Sequence, residues 1–258
     1  YPSDMKATEY GKPEASSGQL ASRTLDPVLV RLPNWVGDVC MSLPVLHLLA
    51  DSGVPYVICA RPWAKDLLAA MPMRGFITMK GKAWEDARGV RAWRKVHDVG
   101  SCGLLLPDSL TSAMSFKLAG LRSAGYQDDG RSLLLTWPLA KPEPRPHAVN
   151  HWFGLAVHAL KQWGITPARN EPESSLNLRL APEHLTESAE TMKRHDLEPG
   201  RLVLIAPTAT GLHHGKLKVW PHFDRMTQAL QEAGHRVVMC PPPSERDAAS
   251  RYAPHADM

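Results

Sequence analysis

Short apolar runs alternate with longer segments of helical spacing along most of this chain, and no other feature constrains the fold as strongly. The apolar runs predicted to be strands are 27–32, 55–60, 76–79, 102–106, 201–206 and 235–240. The segments predicted to be helices are 39–50, 62–71, 84–96, 109–118, 152–163, 182–195 and 221–233. Repeated β–α units predict a parallel, doubly wound sheet with right-handed crossovers, and therefore an α/β fold.

The polar, proline-containing connection at 166–175 is the best candidate for a domain boundary. Three stretches follow from it: a flexible tail at 1–25, an N-terminal Rossmann-like domain at 26–170 and a partial C-terminal Rossmann-like domain at 171–258. The last has only about two predicted strands, whereas a complete doubly wound domain needs roughly 100 residues or more. The segment 127–145 is predicted to be a loop, because Asp-Asp-Gly and three prolines interrupt it.

The composition is that of an ordinary soluble protein, with 43% hydrophobic and 22% charged residues among 258. No apolar run approaches the roughly 20 residues of a membrane span, and the tail lacks the apolar core of a signal peptide. The four cysteines are far apart and form no CxxC pair, which fits free thiols in a reducing cytosol. The net charge of +4 weakly favours an anionic partner.

The residues 34–38, Asn-Trp-Val-Gly-Asp, lie between the first predicted strand and the first predicted helix. Such a junction lies at the carboxyl edge of a parallel sheet, where α/β proteins build their sites. Gly37 lets another molecule approach the backbone, and a carboxylate such as Asp38 near a helix start is a possible proton acceptor. On the residues alone, an ordinary N-cap or first-turn carboxylate that only stabilises the helix is the favoured explanation of Asp38.

A second constellation spans 206–221, where a predicted strand ends in a loop with two threonines and two lysines, followed by a helix start. Hydroxyl groups, backbone N–H groups and an ammonium near a helix start can form an anion site. The loop lacks the GxxxxGK[ST] pattern of a Walker loop, and on the residues alone a generic surface loop is the favoured interpretation.

Other chemistries find little support in the sequence. The histidines that are candidate metal ligands form two groups, His147, His151 and His158 and then His213, His214 and His222. No HExxH pattern is present, so packing or surface roles explain these histidines better than a metal site. The first predicted strand lacks a following GxGxxG, and no GxSxG elbow is present. The basic, tryptophan-containing segment 84–95 is compatible with nucleic acid, an anionic glycolipid or plain solvent.

Four segments occur in the order typical of one family. They are Arg-Leu-Pro-Asn-Trp-Val-Gly-Asp at 31–38, Leu-Pro-Asp-Ser-Leu-Thr-Ser-Ala at 106–113, Gly-Leu-Arg-Ser-Ala-Gly-Tyr at 120–126 and Lys-Val-Trp-Pro at 218–221. Together they resemble the ADP-heptose:lipopolysaccharide heptosyltransferases of glycosyltransferase family 9, most closely the type that adds the second inner-core heptose. The resemblance runs from about residue 27 to the end of the sequence.

The resemblance implies a GT-B fold, in which the N-terminal domain holds the acceptor and the C-terminal domain holds ADP-heptose. It implies inverting transfer without a metal or other cofactor, with Asp38 as the general base and Lys218 neutralising the departing diphosphate. The donor-binding residues that it implies are Thr208, Thr210, Lys216 and Trp220. The acceptor-binding candidates are Asn34, Gly37, Arg91, Arg94 and Arg122.

The implied partners are a nucleotide-sugar donor, an anionic glycolipid acceptor and, peripherally, the cytoplasmic surface of the inner membrane, with no nucleic acid. The family's later Asp-x-Gly-x-x-His segment does not occur before Met258, and Thr111 stands where related sequences usually carry lysine. Two alternatives therefore stay open: a truncated, non-catalytic glycan- or nucleotide-binding homologue, and a related glycosyltransferase with another nucleotide-sugar donor.

Overall fold

The computed structural model describes residues 26–97, 100–128, 130–208, 212–213, 216–217 and 219–258. The chain divides into two compact units, the first ending at Arg179 and the second running from Leu180 to Met258. The predicted tail at 1–25 lies outside the described residues. The division falls nine positions after the predicted boundary at 170/171, because the connecting segment is tied to the first unit: Arg169 pairs with Asp51, and the Asn177 carbonyl lies 3.1 Å from His47 Nε2.

The first unit is built on a parallel sheet of six strands. The strands are β1 Val28–Arg31, β2 Tyr56–Ala60, β3 Gly75–Thr78, β4 Cys102–Leu105, β5 Arg122–Tyr126 and β6 Trp137–Leu139. Their order is β3-β2-β1-β4-β5-β6, and each neighbouring pair is parallel. This is the order of a Rossmann-type doubly wound sheet, which confirms the predicted fold class.

Helices cover both faces of this sheet. They are α1 Val36–Met41, α2 Leu43–Asp51, α3 Ala64–Leu67, α4 Ala83–His97, α5 Leu110–Leu118 and α6 Ala148–Gln162. One apolar core includes side chains of α2 and α6, and the core on the other face includes side chains of α4 and α5. All residues of β1 and β2 are consequently buried, as expected for central strands of a parallel sheet.

Three sequence predictions in this unit were wrong. The helix predicted at 39–50 is interrupted at Ser42, because Pro44 lacks the N–H that would continue the ladder of helical hydrogen bonds. The segment 127–145, predicted as a loop, contains β6 and a 3₁₀ turn at Arg131–Leu134. Strand β5 was missed because its Ser-Ala-Gly centre lacks the large apolar side chains that mark strands.

The second unit has its own parallel pair, β7 Leu202–Ile205 and β10 Arg236–Met239. Two short antiparallel strands follow β7, namely β8 Leu212–His213 and β9 Lys216–Leu217. The helices are α7 Pro182–Arg194, α8 Phe223–Glu232 and α9 Arg246–Tyr252. A small core includes residues of β7, β10 and α9, so this unit is also α/β. None of the described helices in either unit is long and apolar enough to span a bilayer.

Candidate active site

The order of the six-stranded sheet reverses between β1 and β4. Ligands of doubly wound proteins bind in the crevice outside the carboxyl ends of the strands at such a switch point. The backbone N–H of Leu106 donates to the Arg31 carbonyl at 3.1 Å, so the two strands end side by side. The structure therefore brings the loop at 32–38 and the loop at 107–109 to the same edge, although they are about 70 positions apart in the sequence.

Asp38 is the third residue of α1, in the first turn of the helix. Trp35 is the N-cap in extended conformation, and its carbonyl accepts a hydrogen bond of 3.0 Å from the Val39 N–H. The Asp38 side chain is partly exposed, and within the described ranges no hydrogen bond or ion pair engages its carboxylate. The carboxylate is thus available to an incoming hydroxyl group at the edge where this fold binds its ligands.

A buried arginine holds the backbone before Asp38. The Arg31 guanidinium donates to the Leu32 carbonyl and, over 2.6 Å, to Asn34 Oδ1. Burial lowers the pKa of Arg31, while the charges of Cys59 and Asp86 act in the opposite direction. Sequence reasoning overlooked Arg31, although a charged residue at the end of an apolar strand is a usable signal. The amide oxygen of Asn34 serves this loop contact, which leaves its NH₂ group for a ligand.

Gly37 faces open space. A Cβ built on this residue would meet no atom of the chain within 4 Å. Packing within the chain therefore does not require glycine here, and the backbone can be approached closely by another molecule.

A cluster of charges lies beside the loop that follows β4. The Asp108 carboxylate is 3.0 Å from Lys141 Nζ, 4.0 Å from Arg131 Nη1 and 4.0 Å from His151 Nε2. Lys141 also pairs with Asp128, and this hydrogen bond is the main cause that raises the pKa of Lys141. The cluster draws side chains from four separate segments, which is why no sequence motif pointed to it.

The innermost members of the cluster are fully buried. Arg131 donates to the Pro107 carbonyl at 2.7 Å, and burial lowers its pKa against the opposing influence of Asp108. His151 stacks on the Tyr126 ring at a centroid distance of 3.9 Å, and burial lowers its pKa as well. Because Arg131 bonds the backbone of the 107–109 loop and Lys141 binds Asp108, the cluster fixes one lip of the crevice.

Three of the acceptor-binding candidates lie at the amino edge of the sheet, where the strands begin, opposite to the carboxyl edge that carries Asp38. Arg122 is the first residue of β5, and its guanidinium lies 5.4 Å from the centre of the Trp137 ring. Arg94 donates to the Ala119 carbonyl at 2.8 Å, and Arg91 donates to the Leu118 carbonyl. Arg91 and Arg94 thereby satisfy carbonyl groups at the end of α5. The structure does not bring these arginines to the edge that carries Asp38.

A cavity of about 780 Å³ also opens at this amino edge, lined by Asp26, Val54, Met73 and Arg74 among others. It is remote along the strands from the switch-point crevice, and we assign it no role in the chemistry.

The donor-binding candidates belong to the second unit. Thr208 follows β7, and its hydroxyl donates to Glu245 Oε2 at 2.5 Å. Trp220 is 47% exposed, and its ring packs edge-on against Phe223. Lys216 lies in β9, paired in register with His213. Thr210 and Lys218 lie outside the described residues. Within the described ranges, no group of three or more His, Cys, Asp or Glu side chains is arranged to hold a metal ion.

Comparisons with solved structures show the fold. At 23% identity, E. coli ADP-heptose lps heptosyltransferase II aligns with 88% of this chain and 67% of its own, with a TM-score of 0.67. A family 9 glycosyl transferase from Veillonella parvula aligns with 90% of this chain and 67% of its own, at 14% identity and a TM-score of 0.70. E. coli heptosyltransferase WaaC with ADP aligns with 88% of this chain and 70% of its own, at 16% identity and a TM-score of 0.64.

The chain thus spans about two thirds of the length of these structures, and its likeness to them confirms the predicted GT-B fold class. No curated protein sequence matches it. The family model described as "Glycosyltransferase family 9 (heptosyltransferase)" matches residues 91–258, a range that begins after the Asp38 loop. Since this range is well over half of the sequence, the match confirms the resemblance drawn from the four segments. The chain belongs to glycosyltransferase family 9.

Proposed function

We propose that this chain is an inverting heptosyltransferase that moves heptose from ADP-heptose to the lipopolysaccharide inner core without a metal ion. The observation that carries the proposal is the unengaged Asp38 carboxylate on an anchored loop at the switch point of a family 9 fold. A base at this position, next to a glycine with open space before it, is what an incoming hydroxyl group requires.

In the proposed reaction, Asp38 accepts the proton of the acceptor hydroxyl as its oxygen attacks the anomeric carbon of the heptose. The new C–O bond forms on the face opposite the leaving group, so the configuration inverts. The bond from the anomeric carbon to the phosphate oxygen breaks, and ADP leaves with the electron pair. Negative charge therefore grows on the diphosphate in the transition state, where a fixed cation is most effective.

We assign that cation to Lys218, with Lys216, Thr208 and Thr210 as further groups toward the diphosphate and Trp220 beside them. A lysine ammonium supplies positive charge that many transferases obtain from a divalent metal. Thr208 donates its only hydroxyl proton to Glu245 in this structure, so it can hydrogen-bond a diphosphate oxygen only when that contact is released. The solved structure of E. coli heptosyltransferase WaaC is a structure with ADP, which supports ADP as the leaving group in the reaction proposed here.

On the acceptor side we keep Asn34 and Gly37, which lie just before Asp38 in the chain. The observed partners of Arg91 and Arg94 are helix carbonyl groups, so we assign these two residues to the junction of α4 and α5. The acceptor that we propose is an anionic glycolipid at the cytoplasmic surface of the inner membrane. The net charge of +4 favours such a partner.

The test compares two variants in a transfer assay with ADP-heptose and in calorimetric titration with ADP, both without added metal. We expect Asp38→Asn to lower kcat by a factor of about 10² to 10⁴ while ADP binding is unchanged, since only proton transfer is lost. We expect Lys218→Ala to weaken ADP binding and transfer together. Glu183→Gln is the matched control, because Glu183 is an exposed first-turn carboxylate of another helix, α7.

Transfer at the wild-type rate by Asp38→Asn would reject the general base. ADP binding without turnover by the wild-type chain would support the non-catalytic homologue instead. Stronger displacement of bound ADP by another nucleotide sugar than by ADP-heptose would support the alternative of a related glycosyltransferase with another donor.

A further inference from the structure

The start of α1 exposes two large apolar side chains at the carboxyl end of β1. Trp35 is 74% exposed and Val36 is 55% exposed, although Leu32 before them and Val39 after them are completely buried. An indole left in water forfeits most of the free energy that its burial would release. Exposure of this pair beside the proposed base therefore points to a ligand that covers it.

The backbone under the indole is held in place from both sides. Arg31, itself buried, bonds Leu32 and Asn34 just before it, and the Trp35 carbonyl accepts the first hydrogen bond of α1. Trp35 consequently projects from a fixed point, and only two side-chain torsions remain to be ordered when a ligand binds. Rigid aromatic residues of this kind bind at low cost in conformational entropy.

Helix geometry places Trp35 and Asp38 together. They are the N-cap and the third residue of α1, the two positions whose side chains reach the same first turn of backbone in a capping box. In the proposed reaction, the group next to Asp38 is the acceptor sugar that carries the attacking hydroxyl. The face of a pyranose ring bears weakly positive C–H groups, which suit the negative face of an aromatic ring.

We infer that the Trp35 indole is a stacking platform for the acceptor sugar ring, and that Val36 extends its apolar surface. This inference rests on the proposed function, because the acceptor chemistry defines the ligand. The platform aligns the ring so that its hydroxyl meets the Asp38 carboxylate. Leu110 is 50% exposed at the start of α5, so a second apolar side chain is exposed at the same end of the sheet.

A lipid surface is the other ligand that would explain an exposed tryptophan. Trp63, after β2, and Trp84, after β3, are also exposed at this edge, at 37% and 60%. Neither of these two tryptophans belongs to the first turn of α1, which carries Asp38. A lipid-free acceptor therefore separates the two explanations, because only the sugar platform acts on it.

The experiment measures transfer to a lipid-free inner-core oligosaccharide, together with calorimetric binding of that oligosaccharide and of ADP. We expect Trp35→Ala to raise KM for the oligosaccharide about tenfold, equivalent to about 1.4 kcal/mol, and to leave ADP binding unchanged. Trp35→Phe should recover most of the affinity, whereas Trp35→Leu, apolar but without a ring face, should not. Trp84→Ala is the matched control and should behave as the wild type.

Equal oligosaccharide affinity in wild type and Trp35→Ala would overturn the platform while leaving the proposed function intact. An equal loss in Trp35→Ala and Trp84→Ala, or full recovery by Trp35→Leu, would also overturn it, since neither depends on stacking beside Asp38. A wild-type chain that neither binds the oligosaccharide nor transfers to it would reject the proposed function, and the platform with it.

Discussion

At the scale of single residues, burial decides the protonation of His151. The side chain is 1% exposed, and neither ring nitrogen has a hydrogen-bond partner among the described residues. Burial lowers its pKa below the ordinary value of 6.5, although the nearby Asp108 charge opposes the shift. The unfolded chain therefore binds a proton below about pH 6.5 that the folded chain does not bind. Stability should fall as the pH drops from there toward the lower folded-state pKa.

We expect His151→Phe, which keeps a flat ring against Tyr126, to reduce this loss of stability in acid. The measurement is the free energy of unfolding in urea at about pH 7.5 and about pH 5.5. Burial also lowers the pKa of His158, so part of the acid dependence should remain in the single variant. The exposed His195 provides the control His195→Gln, and an unchanged acid dependence in His151→Phe would contradict the argument.

At the scale of elements, the contact of β4 with α5 depends on a glycine. A Cβ on Gly103 would lie 2.7 Å from Cδ2 of Phe116. The ring of Phe116 is fully buried in the core that α4 and α5 cover. Gly103→Ala should therefore force the strand and helix apart and cost about 1–3 kcal/mol of stability.

The matched change is Gly89→Ala, on the exposed side of α4, where a Cβ would meet nothing within 4 Å. It should stabilise the protein by about 0.5–1 kcal/mol, because alanine restricts the unfolded chain and favours the helix. Denaturant unfolding of both variants checks the pair. Similar stabilities for the two would show that close packing at Gly103 is not what limits this interface.

At the scale of the whole molecule, each unit has a core of its own. The first unit carries two apolar clusters, one on each face of its sheet, whereas the described core of the second has five buried apolar residues. A fragment of residues 26–179 should therefore fold alone and unfold cooperatively, while 180–258 alone should be markedly less stable. Circular dichroism melts of the two fragments test this, and a non-cooperative melt of 26–179 would contradict it.

The local parts of this architecture were predictable from the sequence. Apolar periodicity located β1 to β4 and the helices α4 and α6, because those segments bury continuous faces. The position of Asp38 at a junction of strand and helix was also predictable, because the strand, the glycine and the acid follow one another directly in the chain. Strand β5 was not, because its small residues become a strand only through pairing with β4.

What the sequence by itself determined is therefore most of the strands and helices in their order and the position of Asp38 at the junction of the first strand and helix, since both depend on neighbours along the chain. Only the tertiary structure decided which distant groups meet. It assembled Asp108, Arg131, Lys141 and His151 from separate segments, and it placed Arg91, Arg94 and Arg122 at the edge away from Asp38. The physical reason is that the register and order of parallel strands, and not distance along the chain, set which end of the sheet a side chain occupies.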